Sequence, residues 1–364
     1  MKNAYVMNVD YEFQLFDPHY ERDIRKYHRM RAEFEFVYFF IGQGKGELVC
    51  HRQYENSYLD YLASIGLSPS ISENKQGVFY WGELKNCENE RKFNSKVFSH
   101  KLLEEYQLAP LNSGVFNSMI ELRQFFKKNS FDNGFVLKSF YSVSGRRVHF
   151  YKTLSDQFLL QCEQYLNEGP ILIYPYHKRC LDLGLRFINQ KPMHRYINLV
   201  SSSGSFQGSL IGNGHFQNLT PLMLEKLEHC FATMERIGAS VIKKGAEIDF
   251  TVDGYLFEDE NAKIQQYPLS EINYRKSMGL LGESLKRYIL PGHYGQWVIA
   301  KSPKVDCFEV LLEKLGNNLY STNNCEGIIP LSPVGGQFFS FFLTYDCYQK
   351  LGKMKNKLLD FISY

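Results

Sequence analysis

The chain has 364 residues, 44% of them hydrophobic and 22% charged, enough for two or more packed units of an ordinary globular protein. With 42 Lys and Arg against 39 Asp and Glu, the net charge of +3 is too small for the concentrated basic stripe of a nucleic-acid binder. The apolar runs at 34–41 and 338–345 are strand-sized, far below the about 20 residues of a membrane span, and the first residues lack a signal-peptide core.

A cytoplasmic location without membrane association is therefore expected. Eight scattered cysteines form no Cys-x-x-Cys pair and ten histidines no His-x-x-x-His pair, so neither a disulfide scaffold nor a zinc site is expected. The basic cluster at 22–31, interleaved with Glu33 and Glu35, reads as a solvated helix face.

In chain order, a strand-like run at 5–16 precedes a stronger one at 34–41. The latter enters a glycine cluster at 42–46 that matches neither the dinucleotide fingerprint nor the Walker A pattern. Helical spacing over 54–65, closed by Gly66, completes a small α/β unit ending near residue 90. A helix is predicted over 96–106 with Pro110 as its stop, then a strand at 135–140, a polar turn at 141–147 and a strand at 170–176. An alternating run at 181–187, a Gly/Ser-rich loop at 201–214 and a helix over 220–237 ending at Gly238 follow. The tail, 292–364, predicts strand, helix, strand, strand, helix.

The stretch 268–279 carries the clearest chemistry. On a strand, Glu271 and Asn273 share a face while Ile272 points to the core. Two oxygen donors side by side suit a hard divalent cation, and Arg275 and Lys276 follow, able to meet phosphate. Asp249 lies on the preceding apolar-alternating run, and Asp253-Gly254 between the runs reads as a turn, so a hairpin would set Asp249 opposite Glu271.

Taken in order, these pieces resemble the ATP-grasp superfamily of ligases, in the branch with an N-terminal pre-ATP-grasp domain. The motif support spans 94–290. Lys96, opening its helix, and Lys138, ending an apolar strand, match the two nucleotide lysines. Residues 142–147, with Ser144, Gly145 and Arg146, occupy the place of the loop over the phosphates; Arg146 and Arg147 read equally as surface-turn residues. Tyr174 and Tyr176 fall on the adenine hinge, with Tyr174 where the family has Glu. Asp182 is either a ribose-binding acid or an exposed strand residue. Asp249, Glu271 and Asn273 match the metal ligands. Glu247 stands where a dipeptide-ligase branch carries arginine, a role Arg186 or Arg275 would have to take.

The resemblance implies an α/β (α+β) chain. A pre-ATP-grasp unit (1–93) would precede two α+β subdomains clamping nucleotide (94–168 and 169–290), with an appended α/β element at 291–364. It implies an ADP-forming carboxylate–amine ligase acting through an acylphosphate, with Arg275 and Lys138 as catalytic residues. ATP and one or two Mg²⁺ ions, with Mn²⁺ as the alternative, would be its cofactors. Its substrates would be a small carboxylate and an amine, such as an amino acid or short peptide, and a homodimer is the assembly implied. Two other readings stay open: a nucleotide-binding adaptor or sensor without turnover, and a phosphotransferase acting on a hydroxyl.

Overall fold

The computed structural model describes residues 4–17, 19–43, 46–50, 52–68, 70–72, 78–83, 87–141, 147–201, 206–302, 304–323 and 325–363. The first unit comprises β1 (Ala4–Val6), α1 (Tyr11–Phe16), α2 (Ile24–Phe34), α3 (Val37–Ile41), β2 (Glu47–Val49), α4 (Asn56–Ser64), β3 (Ser70–Ser72) and β4 (Val78–Tyr80). Its strands form a parallel sheet in the order β3-β2-β1-β4.

Two strands expected here are helical. Only 4–6 of the first run is extended; from Tyr11 the burial of Tyr11 and Leu15, four apart, marks a helix face. The run at 34–41 folds as the end of α2 and as α3, where Val37, Tyr38, Phe39 and Phe40 are all buried. An unbroken apolar run has no period of its own, and here it is a helix enclosed on every side.

Next come α5 (Cys87–Asn94), α6 (Lys96–Glu105), β5 (Gly114–Phe116), α7 (Met119–Lys128), β6 (Phe135–Ser139), β7 (Val148–Tyr151), α8 (Asp156–Leu166) and β8 (Ile171–Pro175). The four strands make an antiparallel sheet, β5-β8-β6-β7. Phe135, Leu137, Ile171 and Ile173 turn one face onto Leu122 of α7 and Phe158 of α8. Lys138 and Tyr174 lie on the opposite face. Because β8 belongs to this sheet, the subdomain boundary expected after 168 falls after Pro175 instead.

The remainder is β9 (Lys178–Ile188), β10 (Lys191–Val200), β11 (Phe206–Ile211), α9 (Pro221–Lys243), β12 (Phe250–Glu258), β13 (Ile264–Asn273), α10 (Met278–Leu285), β14 (Tyr294–Lys301), α11 (Phe308–Leu315), β15 (Gly327–Pro330), β16 (Phe338–Tyr345) and α12 (Tyr348–Ser363). One eight-stranded antiparallel sheet holds every strand of this part, in the order β13-β12-β9-β10-β11-β14-β16-β15. The tail has the predicted sequence of elements, yet it extends this sheet rather than standing beside it. It also shares a core with the first unit: Tyr58, Leu62 and Leu67 pack in the same cluster as Trp297, Phe308 and Phe342. Arg52 Nη2 donates to the Val334 carbonyl at 3.1 Å, and the Phe308 amide donates to Glu55 at 2.8 Å.

The hairpin of β12 and β13 is longer than expected. Asp253-Gly254 is mid-strand, and the chain reverses at Asp259, whose carboxylate accepts from the amides of Asn261 and Lys263. Gly254 sits where the partner backbone crosses; a Cβ there would lie 2.7 Å from the Tyr267 carbonyl oxygen. Alternation then divides the sheet. Leu185, Phe187, Phe250 and Val252 turn to α9, meeting Phe231, Met234 and Ile237. Asp182, Arg186, Thr251, Asp253, Glu271 and Asn273 share the other face.

Helix α9 runs past Gly238, its expected end, to Lys243. Gly238 serves close approach instead: an added Cβ would come within 1.9 Å of the Phe187 ring. Gly238→Ala should therefore cost about 1–3 kcal/mol of stability, seen as a lower urea midpoint. If ring and helix did not meet, the gain in helix propensity, about 0.5–1 kcal/mol, would raise the midpoint instead.

Candidate functional site

The polar face of the large sheet meets the Lys138 face of the small sheet, with α6 and α1 closing the sides. A cavity between them is lined by Glu12, Lys96, Tyr141, Glu271, Asn273 and Arg275, among others. Glu271 and Asn273 line it from β13, and register sets Asp253 of β12 directly opposite Glu271 and Thr251 opposite Asn273.

Asn273 Nδ2 donates to Asp253 Oδ2 at 2.6 Å, while Asp253 Oδ1 is buried with no partner among the described residues. Burial, and next the Glu271 charge, push the Asp253 carboxyl up to about 8. Glu271 goes the other way. Burial by the cleft walls opposes its ionisation, but Lys96, then Arg275 and Lys138, hold it down at about 2, with 37% of its side chain still accessible. Lys96 forms an ion pair with Glu271, reaching it from the first position of α6.

Lys138 is only 6% exposed, and its ammonium lies 4.6 Å from the centre of the Tyr174 ring. Burial first, then the charges of Lys96 and Arg179, lower it to about 7. Lys96 pairs with Glu271, Arg179 with Asp182 and Arg275 with Glu12, which leaves Lys138 as the cation without a carboxylate of its own among the described residues, a charge that an anion would complete. Arg275 is held from outside the two sheets: its Nε donates to Glu12 Oε1 of α1 at 2.6 Å.

Asp249 does not join this group. It precedes β12, and its oxygens accept from Arg186 Nη2 at 3.4 Å and from the Asn189 amide at 3.0 Å. The longer hairpin puts Asp253 opposite Glu271 in its stead. Asp182 is buried against Arg179, whose Nη1 donates to it at 2.7 Å. The Tyr174 hydroxyl and His100 Nδ1 are hydrogen-bonded at 2.8 Å, and the Tyr176 amide donates to the Gly134 carbonyl at 3.0 Å. Ser144, Gly145 and Arg146 lie outside the described residues; Arg147 pairs with Glu168 in the small subdomain.

Sequence reasoning missed Asp253, Arg179 and Glu12. Asp253 carried a signal, since it alternates in phase with Thr251; the more polar segment from Asp259 to Lys263 was the better turn. Arg179 precedes its acid by three residues and was readable as a pair. Nothing local marks Glu12.

The donor set fits a divalent cation. Two facing carboxylates with an amide oxygen beside them are hard donors, and Asp253 presents an unpartnered buried oxygen that a cation would satisfy. No cluster of three His, Cys, Asp or Glu suited to a metal stands among the described residues, so Asn273 would have to complete the set. No helix among the described residues is long and apolar enough to cross a membrane.

No protein-family profile and no curated protein matches the chain. Solved structures do. N5-carboxyaminoimidazole synthase from Aspergillus clavatus, in complex with ADP and 5-aminoimidazole ribonucleotide, superposes with a TM-score of 0.53 at 10% identity, over 100% of this chain and 99% of that one. The biotin carboxylase domain of 2-oxoglutarate carboxylase from Hydrogenobacter thermophilus, with MgADP and bicarbonate, gives 0.52 at 12%, over 98% and 84%. Phosphoribosylamine–glycine ligase from Thermotoga maritima gives 0.52 at 14%, over 91% and 94%. At these identities the likeness establishes the fold, which is the ATP-grasp fold.

The opposed acids set a pH dependence. Below about pH 4 the Asp253 carboxyl is neutral in both states; from there to about 8 the unfolded chain sheds a proton that the folded chain keeps, so stability falls as pH rises. Lys138 has the opposite sign, its penalty easing as pH rises above about 7. Asp253→Asn should match the wild-type melting temperature at pH 4 and exceed it at pH 8. Identical pH profiles for the two proteins would show that Asp253 and Glu271 do not strain one another.

Proposed function

We propose that this ATP-grasp chain is an ATP-dependent ligase that joins a carboxylate to an amine and forms ADP. The observation that carries the reading is the cluster of Lys96, Lys138 and Arg275 around a floor of Asp253, Glu271 and Asn273. A triphosphate answers the cations and a divalent ion answers the acids. The solved structures of the same fold are named as ligases, synthases and a carboxylase, and several hold ADP.

In this reading Asp253, Glu271 and Asn273 would hold Mg²⁺, which supplies charge neutralisation for the phosphate oxygens. Asp253 must give up its proton to do so, and Glu271 is already ionised. Lys96 exchanges its bond to Glu271 for phosphate. Lys138, whose charge burial and the neighbouring cations weaken, regains it beside the nucleotide. Arg275, oriented by Glu12, faces the transferring phosphoryl group. A substrate carboxylate oxygen then bonds to the γ-phosphorus as the bond to ADP breaks. The amine displaces phosphate from the resulting acylphosphate, and its proton leaves to solvent. Such a scheme needs positioned charge rather than a side-chain nucleophile.

Departures from the family pattern favour a second reading, a nucleotide-binding protein without turnover. Tyr174, bonded to His100, stands where the family has Glu; Glu247 stands where the dipeptide-ligase branch has arginine; and Arg179 already holds one oxygen of Asp182.

Magnesium-dependent ADP release with a panel of carboxylates, with and without amines, separates the two, and hydroxylamine should trap an acyl hydroxamate. Asp253→Asn and Glu271→Gln should each lower turnover by about 100-fold or more, while Asp249→Asn should leave MgATP affinity within about threefold (about 0.7 kcal/mol). Full activity in Glu271→Gln, or ATP binding without any turnover, would overturn the ligase reading.

A further inference from the structure

A second cavity opens where α1, α5 and α6 meet the end of β6, and the function proposed above does not use it. Its volume is about 450 Å³, within the range of about 300–1,000 Å³ usual for small-molecule sites. Among the described residues its walls share only Phe16 with the cleft of Glu271 and Asn273.

The walls are mainly hydrocarbon. Phe16, Val97, Phe98 and Phe140 line the cavity, each only partly buried. The three rings are braced by neighbours. Phe16 stacks on Tyr141 with 4.9 Å between centres, Phe140 meets Tyr141 edge-on at 4.7 Å, and Phe98 meets the buried Phe93 edge-on at 5.2 Å. Rings held in this way present a preformed apolar slot. Apolar surface gathered in one concave, water-facing place ordinarily marks a binding site.

The rim carries one sign of charge. Arg91, Lys92 and Lys101 line the cavity, all three exposed, and no carboxylate lines it. None of the three is ion-paired among the described residues. Arg91 Nε donates to the Leu15 carbonyl at 2.7 Å and Lys92 Nζ to the Lys244 carbonyl at 2.8 Å, which positions both side chains without neutralising either. Glu104 and Glu105, the acids one turn beyond Lys101, are engaged by His100 and Lys244. Three like charges at the mouth of an apolar slot are complementary to an anion with a hydrocarbon body.

We propose that this cavity is a ligand site, separate from the nucleotide cleft, for a small aromatic acid of one or two rings. The rings enter between Phe16, Phe98 and Phe140, and the carboxylate or phosphate stays at the rim with Arg91, Lys92 and Lys101. An aliphatic acid would leave the phenyl faces and edges unmatched, and a neutral aromatic would leave the cations unanswered. Ser95 and Val97, which flank Lys96, also line the cavity, and the Lys96 amide donates to the Phe140 carbonyl at 2.8 Å. The occupant therefore lies against the backbone that presents Lys96 to Glu271. Such a site exists whether or not the cleft performs ligation.

Calorimetry on the full chain tests this with 2-naphthoate and 2-naphthyl phosphate, against acetate and 2-naphthol as controls, each with and without saturating MgADP. At least one ring acid should bind with a Kd below about 1 mM, and at least about tenfold more tightly than either control. Which acid binds better tells carboxylate from phosphate. Binding should persist with MgADP present. Lys101→Glu should weaken it by about tenfold or more, and Val97→Trp, which fills the slot, should abolish it. Should the tryptophan variant fail to fold, Lys101→Glu, at an exposed position, decides. No binding of either acid, a control binding as tightly, displacement by MgADP, or wild-type affinity in either variant overturns the site. Absence of MgADP binding would remove the ligase reading alone, since the variants test the cavity without nucleotide.

Discussion

Two carboxylates held face to face across β12 and β13 are the constraint around which this molecule is organised. Asp253 and Glu271 cannot both ionise cheaply in a half-closed cleft, and the structure resolves the conflict asymmetrically. Lys96 reaches from the start of α6 to keep Glu271 charged, while Asp253 keeps its proton and leans on Asn273. Lys138, weakened by burial and by its cationic neighbours, is the matching strain on the other wall. Nucleotide with a divalent ion would relieve both at once, which makes the resting site complementary to a ligand rather than to itself.

The scaffolding for that conflict comes from three places in the chain. The large sheet supplies the acids, the small sheet supplies Lys138, and the first unit supplies Glu12, which fixes Arg275. Dry and wet faces of the large sheet are separated by simple alternation, so the packing of α9 onto Phe187 and Phe250 also determines which way Asp253, Glu271 and Arg186 point. With β12 held on β9, a one-residue slip of β13 would exchange Glu271 for Ile272 on the polar face.

What could be read from the residues follows the same logic. Glu271 and Asn273 were legible because two-residue alternation is a local property. Their partner was not, because it depends on where the hairpin turns: Asp253-Gly254 has the chemistry of a turn but serves as strand and bulge, and Asp259 performs the reversal. Lys96 and Lys138 were placed correctly on a helix start and a strand end. The run at 34–41 was misread because complete burial erases the period that separates helix from strand. For the tail, every element was foreseen, yet its destination was not, since local pattern names a strand without naming its neighbour.

That destination bears on how the molecule comes into being. The aromatic side of the first unit, with Tyr58 and Leu62, is covered by Phe308, Ile328 and Phe342, which come much later in the sequence. These residues therefore leave the ribosome long before the residues that cover them are made. Until then the nascent chain must shelter a greasy surface, and the Glu12 buttress under Arg275 likewise waits for a partner made much later.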